Sequence, residues 1–173
     1  MSAMEAQVVS YDFIVAQPIS DLTTNQYNAM LAGIVNGVID QNDLTEIQSC
    51  IGDGETEAKA AFTAFEEFWH LNWVKGFEDL GAVVFDLIPL MKDCTHIQDD
   101  VLTLENWANV FLTPADLPDI IQHDVTHNIL KLTRDLNQAK KEWAAEEYFN
   151  FGTTLGEMLV IATEPLPVAY ATI

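Results

Sequence analysis

The chain has 173 residues, 49% of them apolar, and its 27 acidic and 7 basic side chains give a net charge of −20. This length fits one domain, and this apolar fraction supports a core, so the composition argues against a disordered chain. Nucleic acids and anionic lipid surfaces need Lys and Arg to replace their counterions. We therefore expect no nucleic-acid partner and no anionic membrane partner. Weakly bound cations fit the acidic surface better.

No apolar stretch reaches the roughly 20 residues that cross a bilayer. The longest, 80–90, is interrupted by Asp86 and Pro89, so we expect no membrane span. Near the N-terminus, Glu5 places an acid where a secretory leader carries bases. The compartment stays open at this point: secreted or vesicular if the chain is a mature form, and cytoplasmic otherwise.

Apolar residues at three- and four-residue spacing predict a helical bundle. Helices are expected over residues 25–39, 55–71, 73–87, 117–134 and 143–162, with shorter ones near Leu44 and Leu104. Thr23 or Thr24 is the expected N-cap of the first helix and Asp116 that of the fourth, while Pro89 is expected to interrupt the third. The predicted fold is an all-α, single-domain bundle of six or seven helices with short connections.

Both ends of the chain carry apolar residues without helical spacing. We predict an extended N-terminal arm over 1–22, the bundle over 23–163, and an extended tail over 164–173, where two prolines stop the last helix. An exposed apolar segment is an aggregation hazard, so each arm is expected to pack on its own bundle or on a neighbouring copy. The residues that would connect copies are Val8, Val9, Phe13, Ile14, Val168, Tyr170 and Ile173.

Two cysteines, Cys50 and Cys94, each end a helical segment. If the helices between them form an antiparallel hairpin, both sulfurs return to the same end of the bundle, as a disulfide requires. Such a bond would stabilise the fold by about 4 kcal/mol in the chain-entropy model. The alternative is two independent buried thiols that behave as small apolar side chains.

Histidines raise the question of a metal site. Segments 67–70 and 124–127 read Glu-x-x-His and Asp-x-x-His, and di-iron bundles use two Glu-x-x-His segments facing inward. Phe65 and Trp69 define the buried face of their helix, so His70 points about 100° away from it. The second segment carries the shorter Asp. We therefore expect solvated or helix-capping histidines, with no metal, no cofactor and no catalytic residue, and a di-iron-like enzyme is only the third hypothesis.

Two further motifs have structural explanations. Residues 40–46 begin like a calcium loop, but Leu44 occupies a ligand position, so no formed calcium site is expected. Gly152 and Gly156 lie four residues apart on one helix face, where the missing side chains let another helix approach closely. This pair predicts tight packing inside the bundle.

The middle of the chain resembles a known group of proteins. The motifs are Cys-Ile-Gly-Asp-Gly-Glu at 50–55, Leu-Ile-Pro at 87–89, Cys94, Trp107 and Tyr-Phe-Asn-Phe-Gly-Thr-Thr-Leu-Gly at 148–156. Together, over residues 30–162, they resemble small all-helical proteins of protists, ciliates among them. The resemblance implies an all-helical fold, a Cys50–Cys94 disulfide and a secretory origin. It implies no enzymatic activity, cofactor or site residue.

These observations favour a non-catalytic structural or interaction protein over an enzyme. In this hypothesis, copies of the acidic bundle form a homo-oligomer through their arms. The second hypothesis is a carrier that holds a hydrophobic small molecule among the nine Phe, four Tyr and four Trp side chains. Native mass spectrometry would separate the two, since oligomers favour the first and a stoichiometric small molecule the second.

Overall fold

The computed structural model describes residues 19–109 and 116–164, where every regular element is a helix. This confirms the predicted all-α, single-domain fold, although the described part holds eight α-helices rather than six or seven. They are α1 (Thr24–Ile39), α2 (Leu44–Cys50), α3 (Glu55–Trp69), α4 (Trp73–Met91), α5 (Gln98–Ala108), α6 (Leu117–His127), α7 (Ile129–Ala144) and α8 (Tyr148–Ala162). None of these helices has the length and apolarity needed to cross a bilayer.

Helix α1 is the centre of the bundle. Residues 30–35 are all buried, so this segment is covered on every side. Its start is a capping box in which the Gln26 N–H donates to Thr23 Oγ1 at 3.2 Å and the Thr23 N–H donates to Gln26 Oε1 at 2.8 Å. Thr23, one of the two predicted caps, is therefore the N-cap.

Helices α1 and α8 pack backbone to backbone through glycines. A Cβ on Gly33 would overlap the carbonyl oxygen of Phe149, and a Cβ on Gly152 would overlap that of Met30. Gly37 meets Gly156 in the same way one turn further along, so the two helices run parallel. The tight packing predicted for Gly152 and Gly156 is confirmed. Its partner pair on α1 was not predicted.

Helices α3, α7 and α8 meet in an aromatic cluster around Trp143. The ring centroids of Phe62, Phe151 and Tyr148 lie 4.6, 5.2 and 5.3 Å from that of Trp143. Phe65 contacts Phe151 edge to face at 5.0 Å. The carrier hypothesis uses such side chains to line a cavity, but these rings fill the space between the helices by contacting one another.

Two predicted boundaries near the C-terminal end are wrong. The helix expected over 117–134 breaks at Asn128, whose side-chain amide donates to the Asp124 carbonyl at 2.8 Å and competes with the helical hydrogen bonds. Trp143 lies in α7 instead of opening the last helix. The chain reverses after α7 with Glu146 in the left-handed region at φ 60°.

Two predicted local signals also act differently in the structure. Pro89 does not interrupt α4, which continues to Met91. A proline so close to the end of a helix removes only one of its last hydrogen bonds, so the helix tolerates it. Asp116 occupies the N-cap position of α6, but its side chain makes no capping hydrogen bond.

The predicted arms lie largely outside the described residues. At the N-terminal end, Ile19–Asp21 form a short 3-10 helix instead of an extended segment. The hydroxyl of Tyr27 donates to the Ile19 carbonyl at 2.8 Å and fixes this turn to α1. The predicted connecting residues that lie outside the described ranges are Val8, Val9, Phe13, Ile14, Val168, Tyr170 and Ile173.

Candidate interaction surface

The predicted disulfide is present. Cys50, at the end of α2, is joined to Cys94, which follows α4, and their Cα atoms lie 5.4 Å apart. This confirms the pairing and excludes the alternative of two independent thiols. The bond fastens the short helix α2 to the α4–α5 connection, so it braces the bundle at one end.

A buried amide holds the turn that follows this disulfide. The Asn28 side chain donates to the Gly52 carbonyl at 2.7 Å and accepts the Gly54 N–H at 3.0 Å. Gly52 has a φ of 71°, in the region that favours glycine. The turn is thereby tied to the central helix, although nothing in the sequence pattern pairs Asn28 with it.

His70 and His127 lie at helix ends, and His123 contacts neighbouring side chains within its own helix. His70 is the exposed C-cap residue of α3, as expected for a capping histidine. In α6 the rings of His123 and His127 stack at 4.2 Å, and His123 Nδ1 lies 3.2 Å from Asp124 Oδ1. Burial raises the pKa of Asp124. In the described part of the chain, no group of three or more His, Cys, Asp or Glu side chains is arranged to hold a metal ion.

Asp43, in the segment that begins like a calcium loop, is buried. Burial, followed by the hydrogen bond and charge of Asp100, raises the pKa of Asp43 to about 7. A buried carboxyl group beside another acid favours its neutral form, because burial and a nearby like charge both disfavour the carboxylate. Asp43 therefore favours its protonated form at a position where a calcium loop would present ionised ligands.

Helix α7 carries the surface that differs most from the rest of the molecule. It holds four of the seven basic side chains and two of the 27 acidic ones, so the helix carries +2 and the remaining chain −22. Its inner face buries Leu132, Leu136, Ala139 and Trp143. The opposite side is exposed, and we call it the α7 outer face, formed by Ile129, Leu130, Lys131, Arg134 and Lys141.

This outer face combines apolar and basic groups. Leu130 is 78% exposed and Ile129 is 40% exposed, at the start of the helix. Arg134 and Lys141 follow Leu130 on one stripe, at steps of four and seven residues. Lys131 pairs with Asp135 at 3.4 Å. Neither Arg134 nor Lys141 forms an ion pair with any residue in 19–109 or 116–164, so both charges face solvent.

The fourth base of α7 is used within the bundle. Lys140 Nζ lies 3.7 Å from the ring centroid of Trp69 on α3. Burial lowers the pKa of Lys140. This contact anchors the middle of α7 to α3 and leaves the outer stripe free for a partner.

Taken together, these features describe an acidic, disulfide-linked, all-helical bundle with one basic helix on its surface. The profile of the SctB-like family, described as secreted protein B-like, matches residues 14–162. The chain therefore belongs to the SctB-like family. No curated protein and no solved structure matches it significantly. The match starts within the predicted N-terminal arm and ends with α8. The protist origin implied by the resemblance stays a prediction.

The α7 outer face was not predicted, although the sequence contains a signal for it. All four bases of α7 fall within residues 131–141, in a chain that has only three others. The net charge of this segment is positive, unlike that of the whole chain, and this difference marks the helix. Which of its side chains face solvent required the packed structure.

Proposed function

We propose that this chain is a non-catalytic structural or interaction protein, acting outside the cell, whose copies associate through their terminal arms. The observation that carries the proposal is that the bundle has a packed core of its own, running from Tyr27 to Ala162. The apolar residues of the arms, in 1–18 and 165–173, lie outside the described residues. They supply contacts that a second copy can bury.

Two observations support an extracellular role. The family is described as secreted protein B-like, and Cys50 and Cys94 form a disulfide. Disulfides persist in oxidising compartments and are rare in the cytosol. Both observations favour the secreted alternative over the cytoplasmic one.

The energetics of association set attraction by the arms against repulsion by the charge. Copies that each carry −20 repel one another at neutral pH. Each large apolar side chain buried between copies contributes about 1.5–3 kcal/mol before ordering costs. Repulsion between exposed charges is screened over about 8 Å at physiological salt. At moderate salt, the attraction from apolar contacts of the arms can therefore exceed the charge repulsion between copies.

Sedimentation of the full chain and of two truncations, lacking residues 1–17 or 165–173, tests the proposal. We expect oligomers of the full chain that strengthen with added salt or calcium and as the pH falls toward the pI near 4.1. Each truncation should keep its helical content by circular dichroism and lose the oligomers. A full-length chain that stays monomeric under every condition would contradict self-association. Native mass spectrometry of the same samples would detect a stoichiometric hydrophobic molecule, the result that favours a carrier.

A further inference from the structure

We infer that the α7 outer face is the docking surface for the N-terminal arm, residues 1–18. The inference deepens the proposed function, because it names the surface that receives the arm, and it rests on that function where the arm comes from a second copy.

The α7 outer face offers two kinds of contact within one helical turn. Leu130 is the most exposed large apolar side chain of the described residues, at 78%. Arg134 lies four residues further along, on the same side of the helix and without an ion-pair partner among the described residues. An extended segment that fits here presents an apolar and an acidic side chain on the same side, two residues apart.

The N-terminal arm has this composition. Residues 1–18 contain no Lys or Arg, and their acids are Glu5 and Asp12. In an extended arm Asp12 and Ile14 lie two residues apart and point to the same side, so Ile14 on Leu130 would bring the Asp12 carboxylate within reach of Arg134. The C-terminal segment 165–173 contains no Asp or Glu. The bases of α7 therefore favour the N-terminal arm over the C-terminal one.

Other partners fit this surface less well. Two α7 outer faces packed symmetrically would set equal bases against each other, since a two-fold interface pairs each patch with its own copy. An anionic membrane or nucleic acid would approach a molecule that carries −22 outside α7. The arm is short and contributes only two acidic side chains, so it meets the least repulsion.

Photo-crosslinking in the full chain tests the contact directly. A benzoylphenylalanine replaces Ile14, and peptides are mapped by mass spectrometry after irradiation. We expect cross-links to the peptide around Leu130 and Arg134. Attachment mainly to another element would overturn the inference. Cross-links to α7 from a benzoylphenylalanine at position 170, together with none from position 14, would also overturn it.

Charge exchange tests the chemistry of the contact. Asp12→Arg and Arg134→Glu should each lower the cross-link yield by up to about fivefold, the range of an exposed ion pair, and the double variant should regain it. Leu130→Ser should lower the yield about tenfold, since it removes the apolar partner. Lys75→Glu, which reverses an exposed base on α4, is the control and should leave the yield unchanged. Equal yields in Leu130→Ser and the unsubstituted chain would overturn the inference.

A mixture of isotope-labelled and unlabelled chains separates this inference from the proposed function. Cross-links between a labelled and an unlabelled copy support both. Cross-links to α7 confined to single copies support the docking surface and contradict association through the N-terminal arm. Oligomers with no cross-link to α7 contradict the docking surface and leave self-association standing.

Discussion

Asn28 shows how a single residue can fix a distant turn. It has no exposed surface, and its amide is hydrogen-bonded at both ends, to the Gly52 carbonyl and the Gly54 N–H. Gly54 is itself buried, and a Cβ there would collide with the Leu31 side chain. The turn after the disulfide therefore depends on one side chain of the central helix.

We expect Asn28→Leu to lower the free energy of unfolding by about 2–3 kcal/mol. The substitution removes both hydrogen bonds and leaves the buried Gly54 N–H without a partner, which costs more than the net value of an ordinary bond. Urea unfolding followed by circular dichroism measures the change. Asn25→Leu, at an exposed position of the same helix, is the control and should stay within about 0.5 kcal/mol. Equal losses in the two variants would show that the amide is not needed.

At the scale of elements, the contact between α1 and α8 sets the architecture. Both helices lie at the centre, and they can approach closely because glycines meet backbone atoms on each side. Asn36 Nδ2 donates to Thr153 Oγ1 at 3.2 Å next to the glycines and adds a polar contact. The remaining helices pack around this parallel pair.

Gly33→Ala should therefore destabilise the bundle more than a usual overpacking change, by about 3 kcal/mol or more. The new Cβ would meet the Phe149 carbonyl, and backbone atoms cannot move aside unless the two helices separate. The control is Gly52→Ala, where the space around the new Cβ is open and only the left-handed φ is unfavourable, at about 1–2 kcal/mol. Denaturant unfolding compares the two. A smaller loss for Gly33→Ala than for Gly52→Ala would mean that the helices adjust.

For the whole molecule, proton binding depends both on the net charge and on the burial of carboxyl groups. The net charge is −20, and burial is the largest cause that raises the pKa of several carboxyl groups. These groups are Asp43, Asp124, Glu142 and Glu157. The folded state therefore binds more protons than the unfolded chain at weakly acidic pH, so acid stabilises it.

We expect the urea midpoint to be higher at pH 5 than at pH 8. For Asp43 the stabilisation is fully present below its ordinary pKa of 3.8 and is lost as the pH rises through the folded value of about 7. Asp43→Asn should reduce the difference between the urea midpoints at pH 5 and pH 8, because the amide stays neutral at both pH values. Asp86→Asn, at an exposed position, should leave the difference nearly unchanged. A higher midpoint at pH 8 would contradict the expected sign.

Local patterns in the sequence were enough to predict the fold class and, within one residue, the N-cap of the first helix, while a Cys50–Cys94 disulfide was one of two alternatives. Helices follow from apolar spacing along short segments, and Thr23 with Gln26 forms a local capping motif, so neither needs information from the rest of the chain. Cys50 and Cys94 could be paired because a helical hairpin returns its ends to one place. The family resemblance implied the same bond.

Which helix faces pack together, and which face stays exposed to solvent, is evident only from the packed structure. Gly33 packs on residues 149–153, and Asn28 on the 52–54 turn, through contacts that join segments far apart in the chain. Local spacing indicates that a helix has an apolar face but not which helix covers it. The exposure of Leu130 beside Arg134 is therefore a consequence of how α7 packs on α3 and α8. The periodicity of the sequence does not specify which helices pack against each other.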